Sequence, residues 1–137
     1  MADSRITMPT AVIIDDSPLV RTQLRQILTR VGATVVGEAG SGLHVQALYE
    51  QHRPDLITLD IVMPGKDGVT AALELLHAHP TARIVMCTSL ANRDKILACQ
   101  RAGVRHYVIK PFEPARAEQI LRYVLQAPIA STADGTP

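Results

Sequence analysis

Pro54-Asp55-Leu56-Ile57-Thr58-Leu59-Asp60, followed by Ile61-Val62-Met63-Pro64-Gly65-Lys66-Asp67-Gly68, is the stretch whose reading decides the fold. An apolar run of strand length stops on Asp60, and Pro64, Gly65 and Gly68 then end the strand and turn the chain. Asp60 therefore stands at a strand tip. A carboxylate there is held by the sheet beneath it while remaining open to solvent and partners.

The same unit recurs on either side. Thr10-Ala11-Val12-Ile13-Ile14 is a buried strand that ends on Asp15-Asp16, and Ser17-Pro18 opens a helix, since Ser17 or Asp16 can cap it and Pro18 is tolerated at the first helical position. Leu19, Val20, Leu24, Ile27, Leu28 and Val31 recur at helical spacing before Gly32. Ala33-Thr34-Val35-Val36-Gly37-Glu38 alternates more strongly, which suits an edge strand, and a weaker helix follows through about Gln51. After Asp60 a helix is expected from near Gly68 to His79, halted by Pro80. Ala82 to Cys87 is a fourth strand ending on Thr88-Ser89, then a helix from about Asn92 to Ala102. A fifth strand, Val104 to Ile109, ends on Lys110-Pro111, and a last helix opens near Glu113-Pro114 and buries Ile120, Leu121, Val124 and Leu125.

Five strand-helix units demand an α/β fold: a parallel sheet covered on both faces, with right-handed crossovers. In such a sheet all strands end on one edge, so Asp15, Asp16, Asp60, Thr88 and Lys110 are brought to one rim. The expected domain spans residues 9–126, and residues 127–137, rich in Ala, Pro and Thr, carry no periodicity and read as a flexible tail.

Composition excludes several classes of protein. A chain of 137 residues with 47% apolar and 20% charged residues is of single-domain length and can bury a core without disulfides or metal. Its formal net charge of +1 shows neither a nucleic-acid footprint nor a membrane-binding face. No apolar run approaches the ~20 residues of a membrane span, and the first residues lack a signal-peptide core, so a cytoplasmic protein is expected. Cys87 and Cys99 read as buried thiols, and the five histidines as scattered surface residues.

Carboxylates converging on a rim repel one another, by about 4 kcal/mol for a pair roughly 4 Å apart at an effective dielectric near 20. Magnesium is the natural counterion, because it takes hard oxygen ligands and is held by one or two carboxylates plus phosphate oxygens. Lys110 adds a positive charge and Thr88 a hydroxyl donor. These parts favour phosphoryl transfer, with Asp60 the best-placed nucleophile.

With this set of residues the chain resembles the receiver domains of two-component response regulators, closest to single-domain chemotaxis-type receivers, from about Ala11 to Leu125. Asp15-Asp16 matches the acidic pair, Asp60 the phosphoacceptor, Thr88 the switch hydroxyl, Tyr107 the switch aromatic, and Lys110-Pro111 the lysine with its often cis-linked proline. The resemblance implies a flavodoxin-like (βα)5 three-layer sandwich with sheet order 2-1-3-4-5. It implies Mg2+ bound by Asp16, Asp60 and the backbone carbonyl of Val62, with Asp15 acting mainly through water. It further implies a histidine kinase as phosphodonor and a downstream effector protein docking on the face of the fourth helix, fifth strand and fifth helix. No direct nucleic-acid contact or membrane insertion is expected, and the protein would be a monomer or a weak phosphorylation-dependent dimer. Beyond self-phosphorylation and slow autodephosphorylation it would not be a turnover enzyme.

Two positions depart from the most studied chemotaxis pattern: Val62, two after Asp60, and Leu90, two after Thr88. Neither side chain can hydrogen-bond a hydrolytic water, so a longer-lived aspartyl phosphate is expected.

Other readings compete. Taken alone, Asp15-Asp16 could simply cap a helix, Thr88-Ser89 form a turn, Tyr107 pack in a strand and Lys110 stay solvated; only their joint placement favours chemistry. A phosphohydrolase of the haloacid dehalogenase type needs a second Asp where this chain has Val62. A flavin carrier needs a phosphate-cradling first loop and stacking aromatics, whereas this loop is acidic and the chain holds one Phe, three Tyr and no Trp. A receiver cut from a transcription factor or chemotaxis methylesterase would continue into an effector domain; the short tail favours a free-standing switch.

Overall fold

The computed structural model describes residues 8–126. The expected flexible tail, residues 127–137, lies outside them. Five strands, β1 (Thr10–Ile14), β2 (Thr34–Ala39), β3 (Leu56–Asp60), β4 (Ile84–Ser89) and β5 (His106–Lys110), alternate with five helices, α1 (Pro18–Arg30), α2 (Val45–His52), α3 (Gly68–Ala78), α4 (Arg93–Ala102) and α5 (Pro114–Gln126). All neighbouring strands pair in parallel, in the order β2-β1-β3-β4-β5. This is the flavodoxin-like sandwich expected from the sequence. β2 lies at an edge, as its alternation indicates, and pairs with β1 through a register shift between Ala11 and Val12.

Period-two alternation divides the buried side chains between two cores. Val12, Ile14, Ile57, Leu59 and Met86 pack with Val45 and Tyr49 of α2, Ala71, Ala72 and Leu75 of α3, and Cys99 of α4. On the other face, Ala11, Ile13, Leu56, Val85, Cys87 and Val108 pack with Leu24, Ile27 and Leu28 of α1 and Ala117, Leu121 and Val124 of α5. Helices therefore cover both faces, and the central strands, buried on both, read as continuous apolar runs.

Local signals account for the helix ends. Ser17 accepts a hydrogen bond from the Val20 amide at 3.2 Å and Pro18 occupies the first turn of α1. Asp67 accepts from the Thr70 amide at 2.9 Å and caps α3. α3 stops at Ala78, with His79 as its C-cap, one residue before the expected end. β5 begins two residues later than expected, because Val104 and Arg105 belong to the turn after Gly103, which takes a left-handed φ of 106°.

The histidines are less uniformly superficial than expected. His79 lies between α2 and α3: its Nε2 donates to Glu50 at 2.9 Å, its Nδ1 faces Arg53 at 3.2 Å, and its ring lies 4.9 Å from that of Tyr49. His52 and His106 are also half-buried, while His44 and His77 are exposed. Both cysteines are buried and free, and burial pushes their thiols up, Cys99 to about 11. They are inert packing groups.

Among the described residues, one buried side-chain group is unsatisfied. Thr58, fully buried in β3 between Ile13 and Val85, has a hydroxyl with no hydrogen-bond partner. An unpaired buried hydroxyl costs roughly 1–3 kcal/mol. Thr58→Val keeps the volume and removes that cost, so urea denaturation should show a variant more stable by about 1 kcal/mol.

Candidate functional site

The site is built at the C-terminal edge of the sheet. Asp15 follows β1, Asp60 ends β3 and Lys110 ends β5. By alternation these three continue the column of Ile13, Thr58 and Val108, on the face covered by α1 and α5. Thr88 follows Met86 onto the opposite face, which Tyr107 also joins. The rim predicted from the sequence is thus assembled with its parts on two sides of one sheet.

Carboxylate oxygens of Asp15, Asp16 and Asp60 all lie within 4.8 Å of one another. Asp15 and Asp60 are buried and Asp16 is exposed. Asp15 is already engaged: one oxygen accepts from the Ser17 amide at 2.9 Å, and the other pairs with the Lys110 ammonium at 2.8 Å. Its backbone carbonyl accepts from Arg21 Nη1 at 2.6 Å, and Arg21 is anchored in turn on Glu38. Lys110 also reaches Asp60, at 3.3 Å. The Lys110-Pro111 peptide is cis.

Burial, then the neighbouring Asp15 charge, push the Asp60 carboxyl up to about 6, and Lys110 offsets this only in part. The ammonium sits nearer Asp15 than Asp60. Burial acts against the charge on Lys110, but Asp15 and Asp60 outweigh it and hold its pKa above the usual lysine value. The donor set fits a hard divalent cation: three carboxylates crowded together, one of them exposed, with a single ammonium to balance them.

The turn after Asp60 is clamped into place. Ile61 and Met63 are buried and leave the side chain of Val62, between them, half exposed. The Gly68 amide donates to the Ile61 carbonyl at 2.7 Å, and a Cβ at Gly68 would stand 2.0 Å from the Asp60 carbonyl oxygen. Only glycine permits α3 to start so close to the strand end. Gly42 plays the same part from the β2-α2 connection: its amide donates to the Lys66 carbonyl at 3.1 Å, where a Cβ would approach to 2.3 Å. Ser41 Oγ donates to the Pro64 carbonyl at 3.2 Å.

Thr88, 1% exposed, lies inside β4 rather than beyond it. Its hydroxyl accepts from Asn92 Nδ2 at 3.0 Å. Tyr107 is half-buried and donates to the Val104 carbonyl at 3.0 Å; burial pushes its hydroxyl up to about 12. Leu90 is exposed at the start of a 3-10 turn, Leu90–Asn92, that leads into α4.

Sequence reasoning located the acids, the lysine and the hydroxyl, but not Arg21, Asn92, Gly42 or the close approach at Gly68. Gly68 had a signal, a glycine at a helix start. The others act through contacts that no spacing encodes.

The Asp60 charge has a thermodynamic consequence. An unfolded Asp titrates near 3.8 and the folded one near 6, so the native state binds this proton more tightly. The charged group therefore destabilises the fold above pH about 6, and the penalty fades as pH falls towards 3.8. In magnesium-free buffer at pH 8, Asp60→Asn should be more stable than the parent by about 2 kcal/mol. That gain should shrink below pH about 5, where Asp60 is largely protonated. Added Mg2+ should stabilise the parent and not the variant; urea titrations at the two pH values check both expectations.

The profile of the family described as "Response regulator receiver domain" matches residues 11–122. The chain is 33% identical over 113 residues to the chemotaxis protein CheY of Thermotoga maritima, covering 82% of this chain and 94% of that protein. It is 38% identical over 111 residues to the transcriptional regulatory protein PdtaR of Mycobacterium tuberculosis, covering 80% of this chain and 54% of that one. Among solved structures, the CheX-CheY-BeF3-Mg+2 complex from Borrelia burgdorferi is similar with a TM-score of 0.79 and 29% identity, covering 86% of this chain and 90% of that chain.

Proposed function

This chain belongs to the response regulator receiver family, and on that premise we propose that it is a phosphorylation-activated switch of a two-component system, with Asp60 as the phosphoacceptor. Receiver domains are signalling switches rather than turnover enzymes; they generally bind Mg2+ and work between a histidine kinase and downstream targets. The observation that carries the specific reading is the geometry around Asp60: a buried carboxylate at a strand end, crowded by Asp15 and Asp16 and reached by Lys110.

In the proposed reaction a carboxylate oxygen of Asp60 attacks phosphorus of a phosphohistidine. The new O–P bond forms as the P–N bond breaks, and the imidazole nitrogen leaves with the electron pair and takes a proton from solvent. Asp16, Asp60 and the Val62 carbonyl would hold Mg2+, with Asp15 acting through water; when bound, the cation offsets the negative charge of carboxylates and phosphoryl oxygens. The ammonium of Lys110 moves from pairing carboxylates to pairing a phosphoryl oxygen, and the Thr88 hydroxyl donates to another. Thr88 drawn inward leaves room for Tyr107 to turn in, because both lie on the same face of the sheet. The face of α4, β5 and α5, with Leu97, Ile109 and Tyr123 exposed, would present the result to a protein partner. The similarity to the chemotaxis protein CheY supports a chemotaxis-type role.

A phosphoryl group on Asp60 would replace one buried negative charge by about two, and Lys110 together with the cation would offset it. Asp60→Asn should abolish labelling by acetyl phosphate or by a phosphohistidine donor; label retained elsewhere on the chain would count against the site.

Loss of the phosphoryl group needs a water aligned on phosphorus. Val62 and Leu90, both exposed at the rim, offer it no hydrogen bond. The aspartyl phosphate should therefore decay more slowly in this protein than in a Val62→Asn, Leu90→Glu variant, by about tenfold. A time course of phosphate release in excess Mg2+ measures both, and equal rates would refute the role of the rim.

A further inference from the structure

The turn between β4 and α4 contains an Asn that does not do what its position suggests. Asn92 is the N-cap residue of α4, where an Asn side chain ordinarily accepts from the first helical turn, yet it makes no capping bond. Its Nδ2 instead donates to the Thr88 hydroxyl at 3.0 Å and lies 3.5 Å from Ser89 Oγ. The Thr88 hydroxyl donates weakly, at 3.4 Å, to the Ser89 carbonyl. Both bonds of that hydroxyl point along the turn towards α4, and neither goes to Asp60.

We propose that Asn92 is a positioning residue: its side-chain amide latches the Thr88 hydroxyl towards α4 and so favours the unphosphorylated conformer. The proposal rests on the reading of Thr88 as the hydroxyl that meets the phosphoryl group. Thr88 is a β-branched residue, buried in a strand, with few available rotamers, so a second anchor on its hydroxyl selects between discrete states. A hydrogen bond made in one conformer and lost in the other shifts their ratio by its own net strength. A neutral bond of this kind corresponds to about fivefold. The latch also links the switch hydroxyl to the first residue ahead of α4, so release of Thr88 frees the side chain at that helix start.

Two measurements test this. Three-bond couplings reporting the Thr88 χ1 angle in the unphosphorylated protein should show one rotamer in the parent and averaging in Asn92→Ala. Asn92→Leu, which keeps the shape without the donor, should average likewise, and urea midpoints establish that both variants fold. Titration with beryllofluoride and Mg2+, a mimic of the phosphoryl group, should show about fivefold tighter binding to Asn92→Ala than to the parent. In a Thr88→Val background Asn92→Ala should change nothing, because the acceptor is gone. An unaltered Thr88 rotamer in both variants, or an equal gain in the Thr88→Val background, would overturn the latch. Failure of the parent itself to bind the mimic would overturn the phosphoacceptor reading, while the rotamer measurement would still decide whether Asn92 holds Thr88.

Discussion

The Lys110 ammonium lies between Asp15, at 2.8 Å, and Asp60, at 3.3 Å, and among the described residues it is the cation that pairs with the side chains of the crowded carboxylates. Three negative charges against one positive charge leave a site poised for more positive charge. Asp15 takes the larger share of the lysine and a backbone amide besides, so its charge is well compensated. Asp60 is left as the raised, under-compensated carboxylate. The proposed phosphoacceptor is the carboxylate that shares the lysine at the longer distance.

On the proposed reading, placement on two faces of the sheet would let a phosphoryl group on Asp60 be felt elsewhere. Asp15, Asp60 and Lys110 share the face backed by α1 and α5, whereas Thr88 and Tyr107 share the face backed by α3 and α4. The sheet itself separates the two. A hydroxyl drawn towards Asp60 must leave contacts on the α4 side, which is a discrete repacking rather than a gradual deformation. The Asn92 amide stands at that junction.

Rigidity around the site comes from close approaches rather than from bulk. Gly68 lets α3 begin against the Asp60 carbonyl, and Gly42 lets a separate connection brace the Lys66 carbonyl. The turn from Ile61 to Asp67 is thereby held at both ends, with Ile61 and Met63 buried and Val62 facing outward. An apolar residue at that outward position would offer no hydrogen bond to a water approaching a phosphoryl group on Asp60.

The five strands were legible because buried parallel strands are short continuous apolar runs, and their ends were legible because Asp15, Asp60 and Lys110 interrupt those runs with charge. Once the fold is parallel, strand ends must meet on one edge, so the existence of a polar rim was determined by the sequence itself. The strand order needed the likeness to known receivers, since alternation alone does not rank neighbours. Which acid holds the lysine, which face each rim residue takes, and that Asn92 serves Thr88 rather than α4 were decided only by the tertiary structure. These are distances between side chains remote in sequence or free to choose between partners, and hydrophobic periodicity carries no information about them.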